Sequence, residues 1–331
     1  MERFALAAAV VLGFALTAAL CSLFVPLRRV LERREQNQQP VQSEQPRPAP
    51  LRAPLWGGLC AAAGTVAAVG VGWLAACVGQ PELLGSEGRL MTRLLTALAG
   101  SLAFGAVGLA EDLARMRSPA ALGLRRDVRL LLEALAAAFV LLLLRAAGCL
   151  PRGLDVPGAG YVLLGSAVPF LWAVLMVALA ECARIAERDE GTVCGAAFVA
   201  MLALMMAEAG LGVPGLAVLP AALAGALVAL LLWAFPPARL GVGCCGSLLA
   251  AGAIGCIPLS LDMTSLTVPL ALPFWAAGGL LAAQLLGAKR TGKPLRCWVK
   301  KHKMSPETVF LCSFALSAVG YVLALALLRW C

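Results

Sequence analysis

The sequence predicts an all-α integral membrane protein with about ten transmembrane helices, and three observations lead to this fold class. Hydrophobic residues fill 61% of the 331 positions, charged residues fill only 14%, and the mean hydropathy is +0.88. A soluble domain of this size has too little interior to bury so much apolar surface, which excludes that class. The apolar residues run in continuous blocks rather than in the alternation of barrel strands, as expected for helices that cross a bilayer core about 30 Å thick.

Apolar blocks separated by proline, glycine and charged residues predict the individual spans. Each block is near the length of about 20 residues that a membrane-spanning helix requires. In chain order they cover residues 4–27, 55–78, 90–110, 128–147, 160–180, 192–210, 213–234, 243–261, 266–286 and 308–328. These are ten spans, and an even number places both termini on the same side of the membrane.

The distribution of basic residues predicts which side that is. Most of the 27 Lys and Arg residues follow the first, third, fifth, seventh and ninth blocks. The positive-inside rule therefore makes these connections cytoplasmic and both termini extracytoplasmic. We expect one polytopic domain over residues 1–331, with a flexible Gln- and Pro-rich linker at about 28–53 and a basic loop at about 287–307. The net charge of +9 suits anionic lipid head groups or phosphorylated solutes, and without a soluble basic domain no nucleic-acid partner is expected.

Several kinds of site are excluded by residue counts and spacing. None of the twelve cysteines forms a CxxC pair, and most lie in apolar blocks as small hydrophobic residues. His302 is the sole histidine, so a multi-histidine zinc site cannot form. Chemistry is therefore sought where charged residues gather at the cytoplasmic ends of the predicted helices.

Two acidic segments are the first candidates. Glu111 and Asp112 end the third block, and this pair is either a solvated helix terminus or part of a Mg²⁺ and phosphate site, since Mg²⁺ takes carboxylates together with substrate phosphates. The connection after the fifth block carries six charged residues within 181–190, in which Glu187 and Glu190 share one face of any helical continuation. That connection is also compatible with an ordinary polar loop.

Two further segments carry glycine or basic residues. Residues 235–247 hold glycines at a spacing that allows a tight turn into a helix, whose backbone N–H groups would face a phosphate, although glycine and proline are common in membrane loops. Residues 292–303 form a basic connection long enough to cover a cytoplasmic cleft, or one that simply follows the positive-inside rule.

In this order the segments resemble the polyprenyl-phosphate sugar-1-phosphate transferases, most closely the phospho-N-acetylmuramoyl-pentapeptide transferase (MraY-like) family. Residues 52–59 are similar to its TPTMGG segment, 104–112 to FGxxGxxDD, 184–195 to NLTDGLDGLAAG, 237–239 to PAK and 243–247 to GDTGS, and His302 falls at the start of its triple-histidine loop. The resemblance spans nearly the whole chain. It implies ten helices, extracytoplasmic termini and a cytoplasmic active-site cleft.

The chain also departs from the family motifs, as a divergent member with altered catalytic groups. Arg184 replaces an asparagine, Glu187 and Glu190 replace aspartates, and Cys244 replaces the aspartate that binds Mg²⁺. A thiolate is a soft ligand, whereas Mg²⁺ prefers oxygen. The site residues that the resemblance implies are, as catalytic groups, Asp112, Glu111 and Glu187; as metal ligands for Mg²⁺, Glu187 and Glu190; and as substrate-binding groups, Arg184, Lys300, Lys301 and His302.

The activity implied by the resemblance is transfer of a sugar-1-phosphate from a UDP-sugar to undecaprenyl phosphate, for peptidoglycan or other cell-envelope precursors in a bacterial plasma membrane. A homodimer is compatible with that resemblance. Two alternatives stay open. Cys244 and Arg184 favour a catalytically inactive relative that binds lipid phosphate or envelope partners. A transporter needs ionisable groups in mid-span, yet Glu133 and Glu208 lie near the ends of their blocks.

Overall fold

A computed structural model describes most of the chain, in segments separated by short gaps. The described residues are 2–38, 56–79, 88–117, 123–151, 153–156, 160–163, 165, 167–187, 191–213, 215–236, 238–286 and 305–328. The basic loop lies almost entirely outside them, as do the second half of the predicted linker and the site candidates Glu190, Lys300, Lys301 and His302.

The described residues are almost entirely helical. The α-helices are α1 (Glu2–Gln38), α2 (Gly57–Gly79), α3 (Gly88–Arg117), α4 (Arg126–Ala146), α5 (Ala167–Ala186), α6 (Thr192–Gly210), α7 (Val218–Ala234), α8 (Gly243–Ser260), α9 (Thr267–Leu270), α10 (Leu272–Leu286) and α11 (Pro306–Leu328). A 3₁₀ turn, Thr264–Leu266, precedes α9. Strands β1 (Gly153–Val156) and β2 (Gly160–Leu163) form an antiparallel hairpin in which Gly153 pairs with Leu163 and Val156 with Gly160.

The structure places a helix in each of the ten predicted apolar blocks, which confirms the helical character of the chain. Seven helices in the described residues are long and apolar enough to cross a membrane: α1, α2, α3, α5, α6, α8 and α11. This finding is consistent with an integral membrane protein of several spans. The count of ten spans and the orientation of the termini stay predictions.

Helix α8 is the centre of the described fold. Every one of its residues is buried, and α2, α3, α5 and α6 all pack against it. Small residues allow this crowding, because a Cβ atom on Gly252 would lie 3.1 Å from the Cα atom of Ser101 in α3. In a bilayer, such close backbone approach takes the place of the hydrophobic driving force that assembles helices in water. The eighth block is therefore a core helix, although its first residues, 243–247, carry only small side chains.

The remaining helices surround this centre. Helix α1 packs against α2 and α7, α11 packs against α6, and α10 packs against α5. The apolar side chains of α1 and α11 are the most exposed, with only 28% and 17% of their spanning windows buried. Those two helices therefore present the surface expected to contact lipid.

Three elements differ from the sequence prediction. Helix α3 continues to Arg117, so Glu111 and Asp112 lie inside the helix and not at its end. Strand β2 takes the first residues of the predicted fifth span, and α5 accordingly begins at Ala167 and reaches Ala186. Helix α1 extends through the start of the predicted linker to Gln38.

Candidate functional site

The candidate site lies at the N-terminus of α8, where the start of α2 joins it by backbone hydrogen bonds. The backbone N–H of Gly57 donates to the carbonyl of Gly241 at 3.2 Å, and that of Gly58 donates to the carbonyl of Val242 at 2.9 Å. A Cβ atom on Gly58 would lie only 2.1 Å from the backbone nitrogen of Gly246. Glycine is therefore required at this contact, which explains the glycine pair in the TPTMGG-like segment.

Helix α3 reaches the same place from another side. A Cβ atom on Gly108 would lie 2.2 Å from the carbonyl oxygen of Cys244, so the two backbones are in direct contact. Asp112 follows Gly108 by one helical turn and faces the same neighbour. Its Oδ1 atom accepts a hydrogen bond from the backbone N–H of Cys244 at 3.0 Å, and its Oδ2 atom accepts one from Cys245 at 2.9 Å. The carboxylate thus caps α8, satisfying two N–H groups that have no partner within the helix.

The end of α5 brings a second carboxylate to this point. Gly191 adopts a left-handed φ of 75°, and the Thr192 hydroxyl donates to the Ala186 carbonyl at 2.8 Å across the connection from α5 to α6. Glu187 follows Ala186, and its Oε2 atom accepts from the Cys244 thiol at a sulfur–oxygen distance of 3.8 Å. Glu187 and Cys244 are therefore neighbours, as the family resemblance implies.

Arg115 lies among the three carboxylates. Its Nη2 atom donates to Oε1 of Glu111 at 2.7 Å. Its Nη1 atom lies 3.9 Å from Oδ1 of Asp112 and 3.8 Å from Oε2 of Glu187. One guanidinium group therefore faces acidic side chains from α3 and from the end of α5.

A second ion-pair network lies behind the first and connects to it through Arg129. The Nε atom of Arg129 donates to Oε1 of Glu181 at 2.8 Å and lies 4.0 Å from Oε1 of Glu133. Its Nη1 atom lies 3.7 Å from Oε1 of Glu111. Arg184 also pairs with Glu181, at 2.5 Å. Five carboxylates and three guanidinium groups thus form one continuous cluster.

Solvent exposure divides the side chains of this cluster into a fully buried group at the back and a partly exposed group at the rim. The side chains of Asp112, Glu111 and Glu133 are 1%, 3% and 0% exposed, whereas those of Arg115, Glu181 and Glu187 are 20%, 23% and 11% exposed. The Oε2 atom of Glu111 and both carboxylate oxygens of Glu133 are buried without a hydrogen-bond partner among the described residues. A phosphorylated ligand would therefore meet Arg115, Glu181 and Glu187 before it met the buried groups.

The structure brings together most of the described sequence candidates. Glu111, Asp112 and Glu187 surround Arg115, and Arg184 joins the same cluster through Glu181. Sequence reasoning assigned no site role to four members of the cluster, namely Arg115, Arg129, Glu133 and Glu181. Two signals pointed to them: the spacing of four residues between Glu111 and Arg115 and between Arg129 and Glu133, and the presence of Glu133 in an apolar block.

Comparison with known proteins identifies the family. The model of glycosyl transferase family 4 matches residues 94–262, which hold the Glu111–Asp112 pair, the Glu187 connection and the α8 N-terminus. That match covers about half of the chain. The chain belongs to glycosyl transferase family 4.

Curated members of the family resemble the chain along much of its length. The phospho-N-acetylmuramoyl-pentapeptide-transferase of Geobacillus kaustophilus (strain HTA426) is 25% identical over 296 residues, covering 88% of this chain and 86% of that protein. The enzyme of the same name from Synechococcus sp. (strain RCC307) is 30% identical over 212 residues, covering 63% of this chain and 55% of that protein. That from Mycobacterium tuberculosis (strain CDC 1551 / Oshkosh) is 27% identical over 265 residues, covering 72% of each. The chain thus matches just over half of the Synechococcus relative and most of the Geobacillus one.

Family membership implies a divalent metal ion, but the described residues do not fit one. Mg²⁺ takes nearly octahedral oxygen ligands at about 2.0–2.1 Å. Both oxygens of Asp112 accept backbone N–H groups, and a thiol stands at Cys244, where the family has a carboxylate. Within the described residues, no group of three His, Cys, Asp or Glu side chains is arranged to hold a metal ion.

Proposed function

We propose that the protein is a phosphoglycosyl transferase that moves a sugar-1-phosphate, of the phospho-MurNAc-pentapeptide type, from a UDP-sugar to undecaprenyl phosphate. The substrates and the place in peptidoglycan or other cell-envelope precursor synthesis come from the resemblance to the curated relatives. Family membership also favours a transferase over a transporter. The setting proposed with this function is a bacterial plasma membrane, with the site at the cytoplasmic ends of the helices.

One observation carries the proposal: Asp112, Glu187 and the N-terminus of α8 converge on a partly exposed guanidinium, that of Arg115. These groups come from three motif segments far apart in the sequence. In the proposed reaction, an oxygen of the lipid phosphate forms a bond to the β-phosphorus of the UDP-sugar. The bond between that phosphorus and the bridging oxygen breaks, and UMP leaves with the bridging oxygen.

We assign each residue a role in the reaction according to its solvent exposure and its contacts. Arg115 is placed to bind the negative oxygens of the diphosphate, because guanidinium groups match phosphate geometry. Glu187 is the partly exposed carboxylate beside Arg115, so we assign it the proton of an attacking lipid phosphate that arrives protonated. Asp112 acts as a positioning residue, since both of its oxygens are engaged by α8.

The test is release of UMP from the purified full chain in lipid nanodiscs. The substrates are undecaprenyl phosphate with UDP-MurNAc-pentapeptide or with UDP-GlcNAc, assayed with and without added Mg²⁺. UMP release that requires both lipid and nucleotide is the expected result. The test variant is Glu187→Gln. Its matched control is Glu307→Gln, which changes an exposed glutamate in the first turn of α11.

A second candidate function is binding of the lipid phosphate without turnover. The thiol of Cys244 beside Glu187 favours it, because a thiol replaces an oxygen ligand within the cluster. Under this candidate the same preparation binds undecaprenyl phosphate in a flotation assay and releases no UMP. Turnover contradicts the second candidate, and the absence of both binding and turnover contradicts both.

A further inference from the structure

The Arg115 guanidinium lies among the acidic side chains, at the position where a bound cation would neutralise their negative charges. Its guanidinium donates to Glu111 at 2.7 Å and lies within 4 Å of both Asp112 and Glu187. A salt bridge to Glu111 in the same helix, four residues before it, orients the side chain towards these partners. The positive charge that balances these carboxylates is therefore supplied by a side chain of the protein.

The geometry opposes a divalent ion at the same place. A cation bound between Asp112 and Glu187 would lie next to the Arg115 guanidinium, and like charges at a few ångströms repel strongly where water is scarce. The Cys244 thiol, directed at Glu187, offers sulfur where a hard cation takes oxygen. The α8 N–H groups of Cys244 and Cys245 already engage both oxygens of Asp112.

We infer that Arg115 replaces the divalent cation in this chain, so that the site binds the diphosphate of its nucleotide through the guanidinium without a metal ion between Asp112 and Glu187. This inference rests on the proposed function for the identity of the ligand. Arginine suits the task because its fixed fork of donors binds phosphate oxygens in pairs, and these charge-assisted hydrogen bonds are strong. Its 20% exposure leaves part of the group open to a ligand.

The first test measures Mn²⁺ binding by electron paramagnetic resonance, with the full chain in phosphatidylcholine nanodiscs, which carry no anionic lipid. The wild type is expected to bind no stoichiometric Mn²⁺ at millimolar concentration. The double substitution Arg115→Gln with Cys244→Asp is expected to bind one equivalent, because it removes the guanidinium and restores an oxygen ligand. Arg117→Gln with Cys244→Asp is the matched control, since Arg117 is exposed and lies at the end of the same helix. One equivalent of Mn²⁺ on the wild type that Glu187→Gln abolishes overturns the inference.

The second test uses UDP as the probe, in isothermal titrations with EDTA and with Mg²⁺. We expect the same Kd in both conditions, a Kd at least about tenfold weaker for Arg115→Gln, and no change for Arg117→Gln. Thermal unfolding of Arg115→Gln shows whether the variant is folded. If it is not, the comparison of the wild-type Kd in EDTA and in Mg²⁺ still tests the inference. UDP binding that requires Mg²⁺ contradicts the inference. If the wild type binds no UDP in either condition, the proposed function fails, while the Mn²⁺ measurement still decides the role of Arg115.

Discussion

The carboxylate of Asp112 accepts a hydrogen bond from the backbone N–H of Cys244, 132 residues later in the chain, and its other oxygen accepts one from the next residue. An internal anion therefore caps the N-terminus of α8. The glycine spacing of residues 235–247 is compatible with an N-terminus whose N–H groups face a phosphate, and also with an ordinary membrane loop. Two of its N–H groups are bound within the protein, and the partly exposed Arg115 guanidinium is a cationic group close to them among the described residues.

Asp112→Asn is expected to destabilise the protein. An amide keeps one acceptor oxygen but places an NH₂ group against a backbone N–H donor, so one buried hydrogen bond is lost. The expected cost is about 1–3 kcal/mol. It is measured as a lower thermal unfolding midpoint of the purified protein. Asp127→Asn, an exposed aspartate in the first turn of α4, is the control, and equal midpoints for the two variants would contradict the capping role.

Gly108→Ala is expected to separate α3 from α8. The added Cβ atom would lie 2.2 Å from the carbonyl oxygen and 2.5 Å from the carbonyl carbon of Cys244, and backbone atoms cannot turn away as a side chain can. We expect a loss of about 1–3 kcal/mol in stability together with weaker binding of UDP. Gly70→Ala is the matched control, because nothing lies within 4 Å of its added Cβ atom. A Gly108→Ala protein as stable as Gly70→Ala would show that the helices do not approach this closely.

The membrane helices and the acidic site were predictable from the sequence for different reasons. Bilayer thickness sets the length of an apolar block, so the sequence predicts α8 even though its first residues are small. The resemblance to a family with one cytoplasmic active-site cleft implied that Glu187 and Cys244 lie near each other. The pairing of Arg129 with Glu181, 52 positions later, was not predictable, because it depends on how α4 packs against α5. The β1–β2 hairpin was missed because strand β2 has four residues and opens an apolar block.

Removing the Arg129 side chain is expected to destabilise the protein more than any exposed substitution on α4. Arg129→Gln leaves Glu181 without its 2.8 Å partner and removes the only described cation within 4 Å of Glu133. Glu181 is 23% exposed and keeps Arg184, so most of the cost comes from the fully buried Glu133, and leaving a buried charge without its partner costs about 3–5 kcal/mol. Arg126→Gln, an exposed change one turn earlier, should be nearly neutral by the same thermal unfolding measurement. A double substitution of Arg129→Gln and Glu181→Gln should recover part of the loss, and no recovery would argue against their coupling.

Glu187→Gln is expected to lower kcat for UMP release by about 10²-fold or more, with little change in the unfolding midpoint. Glutamine keeps the shape of the side chain and still accepts a hydrogen bond from the Cys244 thiol, but it does not accept a proton from the lipid phosphate. Because the side chain is 11% exposed, its loss of charge should disturb folding less than a change at the fully buried Glu133. The measurement is the initial rate of UMP release against undecaprenyl phosphate concentration. An unchanged kcat with a raised KM would show that Glu187 binds the substrate without receiving its proton. The proton acceptor would then be another group at the rim.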